Sequence, residues 1–271
     1  MALLETYGGT CGGDSRLSRT VREVAGYFGI ASPHFRVVDG SEEQVPHSYF
    51  RGLAQYSVAR SWKEADFRIS FGKMRSHPVE LAYLTVGNVE WMGGRCDEFM
   101  FAEGQAHRET AIMMLLDEFP PQFAILDAYE SAADGLAGVM GCPRPKKPLR
   151  FYAGIDALAV DLVAARHMRL RDPRNSSVLR AACHWFGNPG DHIEVIGNNE
   201  PIEAWRDPYH NEISTILSLL AFPVYVIGSG RGSMFLPEMD IAAFPLIRPE
   251  SVRQWIGRRF MRSLLGLHHS K

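Results

Sequence analysis

The chain has 271 residues, 46% hydrophobic and 22% charged, which is enough apolar mass for one large domain or two modest ones. A formal net charge of -2 and a pI of about 6.6 exclude a strongly basic nucleic-acid-binding surface and any global field that steers an anionic partner. Four cysteines, Cys11, Cys96, Cys142 and Cys183, stand far apart with no C-x-x-C pair. That spacing argues against a zinc site, a thioredoxin-like motif and a disulfide framework.

Met1 to Gly9 carries neither a basic stretch nor a long apolar one, so no secretory signal is expected there. The longest apolar run, residues 217–227, is interrupted by Pro223 and is too short to span a bilayer. A cytoplasmic protein is expected.

Ala2 to Leu4 is apolar and ends at Glu5, and a turn rich in glycine follows, with Gly8, Gly9, Gly12 and Gly13. Asp14 or Ser15 can cap a helix to about residue 29. Residues 35–38 predict a short strand ending at Asp39, and residues 56–59 another within an irregular stretch. Residues 66–71 predict a strand that runs into the polar segment from Gly72 to Pro78, and residues 79–91 are expected as a helix. Residues 107–119 predict a helix stopped by Pro120-Pro121.

Residues 123–126 and 149–152 predict buried strands on either side of a loop rich in Gly and Pro. Helices are expected to about residue 168 and from Ser176 or Ser177 to residue 185, then a strand over 192–196 and a helix over 210–221. Residues 251–265 predict a basic amphipathic helix, with Arg253, Arg258, Arg259 and Arg262 beside Trp255, Ile256, Phe260, Leu264 and Leu265. Strands that mostly alternate with helices predict an α/β fold, with a mostly parallel sheet covered by helices on both faces. Residues 1–200 form its expected α/β domain, and residues 201–271 a C-terminal helical extension packed on it.

In an open α/β sheet ligands bind beyond the carboxyl ends of the strands. Those ends carry Glu5, Asp39, Lys73, Asp127 and Asp156. The densest polar patch is Lys73-Met74-Arg75-Ser76-His77. Lys73 and Arg75 suit a carboxylate or phosphate, His77 suits proton transfer or a metal, and Asn88 can add a hydrogen bond. A solvated turn is the plain alternative.

The turn from Gly8 to Gly13 can present backbone N–H groups to an anion, but it matches neither a P-loop nor G-x-G-x-x-G. Asp156 can act in the site or simply cap the helix after it. Asp161 lies in a strongly apolar helix, where an unpartnered carboxylate is costly. It pairs with a base such as Lys73 or Arg75, faces a cavity, or serves as a structural pair or cap. His107 opens a helix and is a weaker candidate. His184, His192 and His210 lack ligand-like spacing.

Several segments together resemble the domain of unknown function 362 family. Ile69 to His77 resembles the family's "islpKlKtH" segment, and Asn88 with Gly93 its "KNlfG" segment. Ala124 to Ala128, with the loop through Gly141-Cys142-Pro143-Arg144, resembles "ivDgi…G.p". Ala153 to Asp161 resembles "agsDpvAvDavaa". Gly87 and Arg75 stand where the family usually has lysines. Family members usually carry an upstream strand–helix section with a Lys-Pro-Asn segment. The resemblance therefore implies missing first strands, from a reduced lineage or a start codon placed too late. Some members look fused to iron–sulfur modules, and this chain has no such motif. The resemblance supports the fold and the site without naming a reaction.

The first functional expectation is an enzyme acting on a small anionic substrate or cofactor. Lys73, Arg75 and Asn88 bind the anion, and His77, Asp127, Asp156 or Asp161 transfers a proton, with a divalent metal on the carboxylates as an option. The second is a non-catalytic binding or assembly module that uses residues 251–265 at a partner or membrane surface. The third is a truncated, inactive relative.

Overall fold

The computed structural model describes residues 2–5, 21–27, 29–30, 32–40, 42–50, 56–77, 80–93, 105–130, 132, 134, 146–205, 252 and 256. The turn from Gly8 to Gly13 and the expected helix over 210–221 lie outside the described residues, as does most of 251–265.

The α/β character expected from the sequence is present. Strand β1 (Ala2–Glu5) pairs in parallel with β2 (Arg36–Asp39), with helix α1 (Val21–Tyr27) between them. Strands β3 (Gln44–His47) and β4 (Tyr56–Ala59) pair antiparallel, and the short helix α2 (Arg60–Glu64) follows directly. Then come β5 (Ile69–Lys73), the antiparallel pair β6 (Arg75–His77) and β7 (Leu81–Tyr83), and the one-turn helix α3 (Thr85–Asn88). Helix α4 (Gln105–Glu118) leads to β8 (Phe123–Ala128), and β9 (Arg150–Gly154) to helices α5 (Ala157–His167) and α6 (Ser177–Phe186).

The pairing differs from the expected mostly parallel sheet. Among the described residues, three two-stranded sheets accompany one three-stranded sheet, ordered β5-β8-β9. β5 and β8 are parallel, whereas β8 and β9 are antiparallel. Parallel strands need a crossover, usually a helix, while antiparallel strands accept a simple loop. α4 lies in the crossover from β5 to β8, and residues 129–149 link β8 to β9.

Apolar runs at 123–126 and 149–152 suggested burial on both faces, yet burial alternates. Ser70, Ala124, Leu126, Ala128 and Tyr152 are buried, while Ile69, Phe71 and Phe151 are exposed. The covered face meets α3 at β5 and α5 at β8 and β9. Beneath it lies a core that includes Met74, Ile112, Met113, Leu115, Leu126 and Met168, all fully buried. α4 is buried on every side over Ile112 to Leu116, as the innermost helix.

Two further expectations are corrected. The helix expected over 79–91 is replaced by β7, α3 and a 3-10 turn at Glu90–Gly93. Leu81 takes a left-handed φ of 62°, and the Ala82 N–H donates to the Glu80 carbonyl at 2.7 Å. No helix passes through that geometry. The strand expected over 192–196 is an unpaired stretch after a 3-10 turn at Gly190–His192. Ile193 and Val195 pack partly on the core, whereas Ile196 points into solvent.

The close contact between β9 and α5 needs a glycine. A Cβ on Gly154 would stand 2.9 Å from Val160 Cγ2, and a β-branched neighbour has little freedom to yield. Gly154→Ala is expected to destabilise the chain by about 1–3 kcal/mol, read as a lower urea midpoint. An unchanged midpoint would show that α5 moves away freely. Among the described residues, no helix is long and apolar enough to cross a membrane.

Candidate functional site

β5 and β8 run parallel in register, with Lys73 beside Asp127 at their shared carboxyl end. The Lys73 Nζ donates to Asp127 Oδ2 at 2.6 Å. The other carboxylate oxygen, Oδ1, accepts from the Tyr129 N–H at 2.8 Å, so Asp127 is held at both oxygens. Both side chains remain partly exposed. The Met74 N–H donates to the Asp127 carbonyl at 2.8 Å, carrying the pairing one residue beyond β5.

From there the chain enters β6 with its alternation intact. Gly72, Met74 and Ser76 are buried, while Lys73, Arg75 and His77 are partly exposed. A period of two places these three polar residues on one side. The dense patch seen in the sequence is therefore strand rather than loop.

His77 Nδ1 accepts from the Glu80 N–H at 2.9 Å. With Nδ1 accepting, a neutral imidazole carries its proton on Nε2. The ring lies near Tyr83, with centroids 5.8 Å apart.

Asn88 closes α3 and leans on β5. Its Nδ2 donates to the Phe71 carbonyl at 3.3 Å and to Ser70 Oγ at 3.5 Å. A Cβ on Gly72 would stand 3.7 Å from the Asn88 Cβ, in ordinary van der Waals contact, so helix and strand lie close together there. The amide hydrogens of Asn88 hold the strand that presents Lys73.

The remaining acids lie elsewhere. Because β9 is antiparallel, Phe151 pairs with Asp127 and Gly154 with Ala124. Three residues of strand, roughly 10 Å, separate those levels, and Asp156 lies beyond Gly154 at the opposite end of the sheet. Asp156 caps α5, with Oδ1 accepting from the Leu158 N–H at 2.9 Å and the Ala159 N–H at 3.1 Å. Glu5 and Asp39 are register partners at the end of the separate β1–β2 sheet.

Asp161 is fully buried. Its Oδ1 accepts from the Thr85 N–H at 2.9 Å and the Thr85 hydroxyl at 2.6 Å, and its Oδ2 from the Val86 N–H at 2.7 Å. The carboxylate of α5 thus takes the unpaired N–H groups that open α3. Burial pushes its carboxyl up to about 7, against the pull of those donors.

Glu80 went unnoticed in the sequence and does the same for α6. It is fully buried, accepting from the Ser177 hydroxyl at 2.6 Å and the Val178 N–H at 3.3 Å. The cue existed, since Glu80 stands between Val79 and Leu81 in an apolar stretch and carries the same desolvation cost as Asp161.

A chain that runs from the core to the surface, also missed, links buried Tyr152 and His167 to the exposed Asn199. The Tyr152 hydroxyl lies 3.0 Å from His167 Nδ1, and His167 Nε2 lies 3.0 Å from Asn199 Oδ1. Burial lowers the pKa of His167 and raises that of Tyr152, so both stay neutral near pH 7. Cys183 is a free, half-exposed thiol, and the other cysteines lie outside the described residues.

Among the described residues, no group of three or more His, Cys, Asp or Glu side chains gathers as a metal-binding set. The β5–β8 register draws Lys73 and Asp127 together, with Asn88 behind them, and Arg75 and His77 follow on the same side of the chain in β6, two and four residues beyond Lys73.

No curated protein and no solved structure matches the chain. The domain of unknown function (DUF362) family matches residues 6–166, more than half of the chain and a span that includes every one of these candidate residues. The chain belongs to the domain of unknown function 362 family.

Proposed function

We propose that the protein binds a small phosphorylated or carboxylated molecule at the shared end of β5 and β8 and acts on it by proton transfer. The observation that carries this reading is the Lys73–Asp127 pair, register-matched at 2.6 Å, with Arg75 and His77 on the same side of the strand. Lys73 and Arg75 supply positive charge for the anion, Arg75 by a fork of N–H donors and Lys73 as a compact ammonium. Asp127 fixes the position of the Lys73 ammonium and serves as the proton acceptor. His77, with Nδ1 already accepting from the Glu80 N–H, orients the ligand by a hydrogen bond donated from Nε2.

Asn88 serves by holding Phe71 and Ser70, and thereby the strand. Asp156 and Asp161 are assigned to capping α5 and tying α3, outside the chemical step. The reading needs no divalent metal.

Thermal melting against a panel of phosphorylated and carboxylated metabolites tests the proposal. A compound at about a hundred times its dissociation constant stabilises by about 2.7 kcal/mol, a rise of roughly 5–10 °C for a chain of this size. The rise should vanish in Lys73→Ala. No shift with any compound, or equal shifts in wild type and variant, would count against it.

A further inference from the structure

β5, β8 and β9 bring two unlike features onto one face of their sheet. Lys73, Asp127 and Phe151 stand at one level, since Asp127 is the register partner of Lys73 on one side and of Phe151 on the other. Neighbouring strands lie about 4.8 Å apart, so roughly 10 Å separates the backbone at Lys73 from that at Phe151. Phe71 stands two residues before Lys73 on β5, on the same face. Phe71 and Phe151 are 56% and 59% exposed, and half-buried Ile125 lies beside Phe71 on the central strand.

The aromatic side of this face already contains a stack. Tyr129 lies nearly parallel to Phe151, with ring centroids 5.6 Å apart and planes 14° from each other. Offset parallel rings at such distances attract, and a stacked pair offers its outer ring faces to a further flat ring. Tyr129 is itself 44% exposed. Open apolar patches of this kind mark surfaces that bind something.

The neighbouring ion pair decides what kind of cover fits. A wholly apolar cover would strip water from Lys73 and Asp127, a desolvation cost that their attraction does not always offset. A bare inorganic anion would meet Lys73 and leave the rings in water. A molecule with an anionic group at one end and a flat aromatic ring at the other meets both. The span of roughly 10 Å between the two backbones is shortened by the side chains of Lys73 and Phe151, and a sugar or a short chain bridges what remains. Stacking on Phe and Tyr tolerates many rings, because every base presents a π face.

We propose that the ligand of this site is a nucleotide-like anion, whose phosphate or carboxylate meets Lys73 and whose aromatic ring stacks on Phe151 and Tyr129, with Phe71 and Ile125 as the apolar floor beside it. The role of Lys73 here rests on the anion reading proposed above, and the ring supplies the class of molecule.

Titration calorimetry of the full chain with AMP, UMP and ribose 5-phosphate tests it, in wild type, Phe151→Leu and Tyr129→Leu. Both side chains are exposed, so leucine removes the ring and leaves the core intact, and an unchanged melting temperature serves as the control. In wild type the two nucleotides should bind roughly tenfold to a hundredfold more tightly than ribose 5-phosphate, the effect of one stacked base. Each variant should lose most of that advantage while binding ribose 5-phosphate as wild type does, and Lys73→Ala should weaken all three ligands. Equal affinity for the nucleotides and ribose 5-phosphate overturns the aromatic assignment and leaves the anion reading standing. Binding of none of the three also overturns it, and the anion reading falls with it only if inorganic pyrophosphate fails to bind as well. A nucleotide advantage that survives both leucine substitutions overturns it, because the ring then lies elsewhere. A dimer dispersed by Phe151→Asp, and not by nucleotide, overturns it in favour of a second copy across this face.

Discussion

Asp161→Ala is expected to lower the unfolding free energy by about 3–5 kcal/mol. The substitution strands the Thr85 N–H, the Thr85 hydroxyl and the Val86 N–H, all of which Asp161 now accepts from inside the core. Water cannot reach them at a site where Asp161 is fully buried. The contact joins residues 75 and 76 positions apart in sequence, so its loss frees α3 from α5 and loosens the support behind β5. Urea unfolding of the variant checks the size, and a loss below about 1 kcal/mol would show that another group takes over the donors.

The same group sets a pH dependence whose sign is fixed. Burial holds the Asp161 carboxyl at about 7 in the folded chain, against about 3.9 when unfolded. Between those values the folded chain holds a proton that the unfolded chain releases. The associated stability is complete below about pH 4 and is lost as the pH rises through about 7. Asp161→Asn has no such proton, so wild-type stability relative to this variant should fall by on the order of 3–4 kcal/mol between pH 4 and pH 8. A difference that stays constant across that range would contradict the assignment.

The second large effect concerns the anion. Lys73→Ala should weaken binding by roughly tenfold to a hundredfold, the value of about 1.5–3 kcal/mol for a hydrogen bond to a charged group. Its melting point without ligand should change little, because a partly exposed pair contributes modestly to stability. Asp127→Asn should act in the opposite direction. It keeps the shape while removing a negative charge that competes for Lys73 and repels the ligand. A gain of roughly threefold to tenfold in affinity is expected, together with loss of any turnover, since the amide cannot accept the proton.

Much of the fold was legible because local signals agreed with the tertiary outcome. Pro120-Pro121 ends α4 close to where it was expected, Asp156 caps α5, and Ser176 caps α6 by accepting from the Leu179 N–H at 3.4 Å. What failed depended on distant partners. The direction of β9 is set by which strand it meets, and its apolar residues read the same in either direction. Leu81 adopts its left-handed backbone where Glu80 turns inward to reach α6, 97 residues away. No window around residue 80 contains that partner.

The site was legible in part for the same reason. Alternation in the segment from Gly72 to His77 is visible in the residues themselves, and the structure preserves it through β5 and β6. The pairing of Lys73 with Asp127 follows from two strands ending at the same level, an outcome of register. Asp156 looked equivalent to Asp127 because both follow a strand, and only the antiparallel pairing of β9 separates them. Asp161 drew notice through its apolar surroundings. Among the options open to it, the structure shows a bond to the start of α3.

Titration calorimetry with inorganic pyrophosphate and with citrate, on wild type, Lys73→Ala and Asp127→Asn, tests the proposed anion site most directly. The account predicts that at least one of these two anions binds, most tightly to Asp127→Asn, less tightly to wild type and most weakly to Lys73→Ala. Equal affinity across the three proteins, or binding by none of them, would contradict it.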